Sequence, residues 1–132
     1  MPVIAETLST PSAQDRLDLA KIYADAPPWL LAPYGDADAL IQAGLAAGTL
    51  LAGRFNDRLL GAALLQRHAD HWRLSHLCVR AITRRRGVGQ RLLDTARALA
   101  MAEGMPLRLA APAGHLDVQA LAASQHLPLI QL

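Results

Sequence analysis

The spacing of apolar residues divides the chain into helical and extended stretches. Leu19, Ile22 and Tyr23 fall on one face of a helix. Ser12 stands ahead of them as an N-cap, and Asp15 completes a capping-box pattern. This predicts a helix to about Asp25, stopped by Pro27 and Pro28. Residues 2–7 read as a first strand and residues 29–35 as a loop. Asp36 caps a second helix, Ala37–Ala47, which Gly48 ends. Strands follow over residues 49–55 and 58–66, with Asn56-Asp57 as the tight turn between them. Beyond Ala69-Asp70 a further strand covers Trp72–Val79. Val88, Leu92, Ala96, Leu99 and Ala100 then mark one face of a long helix that Gly104 and Pro106 terminate. A strand over 107–110, a helix over Leu116–Gln125 and a strand over 127–132 complete the order β-α-α-β-β-β-α-β-α-β. The strands flanking the long helix are joined by a crossover and should be parallel. The fold class is α/β (α+β), a mixed, mostly antiparallel sheet flanked by helices.

Composition narrows this picture. The 132 residues read as one domain, 1–132. Hydrophobic residues make up 52% and aromatic ones only 4%, so the core must be built mainly from Leu, Ala, Val and Ile. A net charge of +2 gives no broad nucleic-acid-binding surface, so nucleic acid is not an expected partner. Arg80, Arg84, Arg85, Arg86, Arg91 and Arg97 are nevertheless concentrated in one stretch whose only acid is Asp94, which reads as a local anion site. Cys78 is the only cysteine, which excludes an intrachain disulfide and a cysteine-based zinc site. The first nine residues lack the basic region and apolar run of a signal peptide. The apolar stretch 37–52 carries glycines and polar residues and is too short to span a bilayer. A cytoplasmic protein without a membrane partner is the expectation.

The strongest chemical signal runs from Leu77, Cys78 and Val79 through Thr83, Arg84, Arg85, Arg86, Gly87, Val88, Gly89 and Gln90. It is a strand, a basic glycine-containing turn and then a helix. Successive backbone amides at such a turn form an anion-binding nest, and the helix dipole adds positive charge at the same point. Gly87 and Gly89 let a phosphate approach the backbone, and the arginines add charge-assisted contacts. An ordinary basic turn, or a patch for RNA phosphates, would show the same residues.

The segment Arg84-x-x-Gly87-x-Gly89, in this strand-to-helix setting, resembles the pyrophosphate loop of the GNAT (N-acetyltransferase) superfamily. The resemblance implies a GNAT fold with CoA or acetyl-CoA as cofactor. It further implies that the loop amides hold the pyrophosphate and the backbone of Leu77, Cys78 and Val79 pairs with the pantetheine arm. More of the chain is similar to one GNAT family, the PanD maturation factors (PanZ, also called PanM). Gln14-Asp15-Arg16-Leu17-Asp18-Leu19 with Lys21-Ile22 resembles that family's first helix. Arg54-Phe55-Asn56-Asp57-Arg58-Leu59-Leu60 resembles its hairpin, and the stretch Val79-Arg80 with Thr83 to Gln90 resembles its CoA loop. Residues 29–48 are longer and more helical than the family pattern, and the chain departs from it after Pro112. The resemblance implies a regulator that binds the aspartate 1-decarboxylase proenzyme, promotes its self-cleavage to the pyruvoyl form and links pantothenate synthesis to CoA level. It also implies a partner contact at Arg54 and Asn56, which would otherwise read as a solvated strand residue and a turn residue.

Catalysis is left open. Acetyl transfer to an amine needs a base, and an acid for the departing thiolate. Many GNAT enzymes carry a Glu on the fourth strand and a Tyr in the last helix. Here Trp72–Val79 holds no carboxylate, and no tyrosine follows Tyr34. Ser124 is a poor substitute. Strict alternation would put His76 on one face with Leu74 and Cys78, as a partly buried core residue. No catalytic residue is assigned, and an N-acetyltransferase acting on a small-molecule or protein amine is the alternative function. Cys78 reads as a small buried residue. His68 and His71 straddle a turn with no third ligand, so no metal is expected. Trp29 and Tyr34 read as a loop packed over the core, or as part of a substrate or partner surface.

Overall fold

The computed structural model describes residues 3–83 and 87–132. Its elements are β1 (Ile4–Thr7), α1 (Ala13–Ala24), α2 (Ala37–Ala47), β2 (Leu50–Phe55), β3 (Arg58–Arg67), β4 (Trp72–Val79), α3 (Val88–Ala102), β5 (Leu107–Ala111), α4 (Leu116–Gln125) and β6 (Leu129–Gln131). The predicted order holds throughout. The stretch read as a loop after Pro27 contains a single 3-10 turn, Pro28–Leu31, and a second such turn, Ala81–Thr83, follows β4.

Local chemistry accounts for the helix ends. The Ser12 hydroxyl accepts from the Asp15 amide and the Asp15 carboxylate accepts from the Ser12 amide, a complete capping box. Asp36 accepts from the Ala39 amide at the start of α2, and Gly48 ends that helix at φ 69°. Asn56 and Asp57 have φ of 48° and 65°, the left-handed pair that a two-residue hairpin turn requires.

The six strands lie in sequence order. β1 to β4 pair antiparallel, and β4–β5 and β5–β6 pair parallel, as crossovers through α3 and α4 demand. Each face of the sheet has its own core. Leu50 and Ala52 pack with Leu19, Ile22, Tyr23 and Leu40 from α1 and α2. The intervening Leu51 packs with Val88, Leu92 and Ala96 of α3. Small residues bring α3 close to the sheet. A Cβ on Gly61 would lie 2.8 Å from Val88 Cγ1, so a side chain at that position in β3 would force α3 side chains to shift.

Two buried or half-buried ion pairs fasten α1 to the β2–β3 hairpin. Asp18, 1% exposed, accepts from the Arg58 guanidinium at 2.7 Å, from the Leu59 amide at 3.0 Å and from Gln14 at 3.0 Å. The Arg54 guanidinium donates to both oxygens of Asp15 and to Glu6. Hydrogen bonding from Arg54 holds the Asp15 carboxyl below its ordinary value despite the opposing effect of burial. At Asp18 burial pushes the carboxyl up, but the bonds from Arg58, the Leu59 amide and Gln14 together outweigh it, and the net direction is down. Both groups therefore titrate lower in the folded chain than in the unfolded one. Their contribution is present above about pH 4 and is lost as pH falls through the folded values. Urea unfolding at descending pH should show stability falling below about pH 4. The Asp15→Asn, Asp18→Asn double variant should show a flatter slope in that window.

Strict alternation fails in β4. Ala62 pairs with Cys78 but Leu64 pairs with Ser75, so His76 and Leu77 together oppose Ala63. This is a β-bulge, and His76 at its centre has φ 56°. The extra residue reverses the faces: Leu74 packs in the α3 core and Cys78 in the α1–α2 core. The expectation that His76 shares a face with both is therefore corrected.

Candidate functional site

The bulge lies where the sheet opens. The β4–β5 ladder pairs Trp72, Arg73 and Leu74 with Leu107, Arg108 and Leu109, and pairs no further residue of β4. Beyond it, residues 74–79 of β4 and 109–111 of β5 line a cavity of about 800 Å³. Asp25, Trp29 and Leu30 contribute from one side, and Asp117, Val118 and Leu121 of α4 from the other. Trp29 stacks on His115 at 3.7 Å between ring centroids, tying the segment after α1 to the start of α4.

Close to the Val79 end of this opening stands the N-terminus of α3. Its N-cap is Gly87, at φ 85°, and no side chain among the described residues caps it. The first-turn amides of a helix lack intrahelical partners, so an uncapped start presents donors and partial positive charge to an anion. Val79 links the two features. It lines the cavity, and its Cγ2 lies 3.6 Å from where a Cβ on Gly89 would sit.

The predicted site residues divide on this frame. Leu77, Cys78 and Val79 line the cavity, and Gly87 and Gly89 open α3. The Val88 side chain is buried in the α3 core, which leaves its backbone for a ligand. The Thr83 hydroxyl donates to the Arg80 carbonyl and closes the short turn. Gln90 exchanges side-chain hydrogen bonds with Gln125 of α4. Arg84, Arg85 and Arg86 lie outside the described residues. The remaining members of the basic stretch have protein partners: Arg80 pairs with Asp25, itself a lining residue of the cavity, Arg91 donates to the Val3 carbonyl, and Arg97 donates to the Gln125 carbonyl. Arg54 is engaged with Asp15 and Glu6, and Asn56 sits at the exposed hairpin tip. Ser124 donates back to the Leu121 carbonyl of its own helix. His68 stacks on His71, and no group of three or more metal-ligating side chains occurs among the described residues.

Periodicity alone did not reveal the surroundings of His76. Its Nε2 lies 2.7 Å from the Ala32 carbonyl oxygen and its Nδ1 2.7 Å from Ser75 Oγ. A carbonyl can only accept, so Nε2 carries the proton. Burial lowers the His76 pKa, against the Ala32 carbonyl which raises it, and so favours the neutral ring. Nδ1 then accepts from the Ser75 hydroxyl. The Tyr23 hydroxyl donates to the His76 carbonyl at 2.8 Å, and Tyr34 meets the ring edge-on. Cys78 Sγ–H donates to the Ile22 carbonyl at 3.3 Å.

Comparison with known proteins fits this architecture. A family model described as the PanZ acetyltransferase (GNAT) domain matches residues 2–129. The chain belongs to the PanZ family. The match runs past Pro112 to residue 129, which corrects the expectation that the chain departs from the family pattern there. The PanD regulatory factors of Salmonella typhimurium and Escherichia coli are each 39% identical to this PanZ domain over 83 residues, 63% of this chain. That match spans 57% of the length of each relative. Among solved structures, PaiA N-acetyltransferase of Thermoplasma acidophilum in complex with coenzyme A superposes with a TM-score of 0.71 at 17% identity, over 95% of this chain and 89% of that one. The ribosomal-protein-alanine N-acetyltransferase of Brucella melitensis biovar Abortus 2308 gives a TM-score of 0.71 at 20% identity, over 93% and 89%. These likenesses establish the GNAT fold for this PanZ domain. No helix among its described residues is long and apolar enough to cross a membrane.

Proposed function

We propose that this PanZ domain binds coenzyme A or acetyl-CoA between β4 and β5. In that state it binds the aspartate 1-decarboxylase proenzyme and promotes its maturation, coupling pantothenate synthesis to the CoA supply. The observation that carries the ligand half is the parting of β4 from β5 beside the uncapped start of α3. A thioester cofactor has a long, mainly apolar arm and a pyrophosphate, and the two features suit those parts in turn. The amides at Gly87, Val88, Gly89 and Gln90 would take the pyrophosphate, with Thr83 and the arginines Arg84, Arg85 and Arg86 beside them. Leu77, Cys78 and Val79 would flank the arm. The bound cofactor would supply an acyl group joined to sulfur. Family membership supports the partner half, with Arg54 and Asn56 on the hairpin as the proposed contact. Arg54 would act there partly by holding the hairpin onto Asp15.

Ligand binding to the native state alone raises stability by mass action. CoA at about a hundred times its Kd should add about 2.7 kcal/mol, a rise of roughly 10 °C in Tm for a chain of this size. Thermal melting with CoA, acetyl-CoA and inorganic pyrophosphate tests this, with the pyrophosphate shift expected to be much smaller. A folded sample that shows no shift with millimolar CoA would exclude the ligand reading.

A further inference from the structure

We propose that Ser75 and His76 form a nucleophile–base pair that takes the acyl group from a thioester held in the β4–β5 cleft and passes it to water. The proposal rests on the reading of that cleft as an acyl-CoA site. It adds an activity, slow acyl-thioester hydrolysis, to a domain read as a regulator.

Both residues line the cavity, and each is no more than 5% exposed. The direction of the hydrogen bond between them is the productive one. With the Nε2 proton committed to Ala32, Nδ1 has a lone pair facing the Ser75 hydroxyl at 2.7 Å, within reach for proton abstraction. The Ala32 carbonyl plays the part of a third group, orienting the ring and stabilising the cation that forms on it. Tyr23 holds the bulge through the His76 carbonyl, and Tyr34 packs against the ring. Neighbouring nucleophiles are otherwise engaged. Cys78 donates to Ile22, Thr83 to Arg80, and the Tyr23 hydroxyl to His76 itself. A bulge with φ 56° at a non-glycine residue is a strained backbone feature of the kind that collects at functional sites.

The chemistry balances without an oxidant or a metal. Ser75 Oγ attacks the thioester carbonyl carbon as its proton passes to His76 Nδ1. The carbon–sulfur bond breaks, Nδ1 returns the proton to sulfur, and free thiol leaves an ester on Ser75. Water attacks that ester with the same nitrogen as base. The bond from the acyl carbon to Ser75 Oγ breaks, Nδ1 returns to Oγ the proton it took from water, and a carboxylic acid departs.

The test is to incubate the chain with acetyl-CoA, follow free thiol with a thiol reagent, and map acetyl groups by mass spectrometry. Thiol release should depend on Ser75, with acetyl trapped on that residue when the reaction is quenched early. Ser75→Ala should abolish release, and His76→Asn should slow it about 100-fold or more. Asn tolerates the left-handed backbone at that position. Both variants should keep the CoA-induced rise in Tm. Should His76→Asn fail to fold, Ser75→Ala decides alone. A wild-type chain that shows the CoA shift, but releases no more thiol than Ser75→Ala, overturns the pair and leaves the cleft reading intact. Absence of any CoA shift overturns the cleft reading and this proposal together.

Discussion

Gly87→Val is expected to lower CoA affinity by about 10- to 100-fold, measured by calorimetric titration. Gly87 caps α3 at φ 85°, a conformation that β-branched residues reach only with strain on the order of 1–3 kcal/mol. The same energy converts to that range of affinity if it moves the turn away from its ligand-ready shape. Space is not the difficulty among the described residues, because a Cβ at Gly87 meets none of their atoms within 4 Å. The open volume is where an anion approaching the α3 amides would lie, so the valine would both distort the turn and occupy that volume. Arg85→Ala should cost much less, since Arg84 and Arg86 flank it and share its charge. Equal, small losses in the two variants would reduce the site to a diffuse basic patch.

Asp18→Ala is expected to lower the unfolding free energy by about 2–4 kcal/mol, read from urea or thermal melts. The carboxylate is buried and answers the buried Leu59 amide, the Arg58 guanidinium and Gln14. Its loss leaves the Leu59 N–H with no partner, which costs about 1–3 kcal/mol. The ion pair adds less, because the Arg58 side chain is 49% exposed and solvent screens it. Arg58→Ala should accordingly cost much less than Asp18→Ala. The reverse ranking would mean that the salt bridge, and not the buried amide contact, holds the hairpin on α1.

What was readable in the sequence was whatever local chemistry fixes. Ser12 and Asp15 announced the start of α1, Asp36 and Gly48 bounded α2, and Asn56-Asp57 announced the turn, because each signal acts within a few residues. The succession of strands along the chain and the parallel β4–β5 pair followed from periodicity and the crossover rule. The site was legible to the extent that it is a strand, a glycine turn and a helix. Its interior was not. The bulge at His76 depends on register against β3 and on contacts with Ala32, Tyr23 and Tyr34, residues more than 40 positions away. A period-of-two reading therefore put Leu74 and Cys78 on one face when they lie on opposite ones. The contacts of Arg54 with Asp15 and Glu6 were hidden for the same reason, since nothing near Arg54 in sequence signals that α1 will lie against the hairpin. Lining residues from the segment after α1 and from α4 reach the cleft only through the tertiary fold.

The most direct measurement is a pull-down of the aspartate 1-decarboxylase proenzyme from the same source by the tagged chain, with and without acetyl-CoA, while proenzyme self-cleavage is followed by gel. Retention and accelerated cleavage should both require acetyl-CoA or CoA. Asn56→Gly preserves the left-handed turn while removing the side chain, and should weaken retention without changing the CoA melting shift. No retention at any CoA concentration, or a cleavage rate unchanged by a chain shown to be CoA-loaded, would contradict the proposed role.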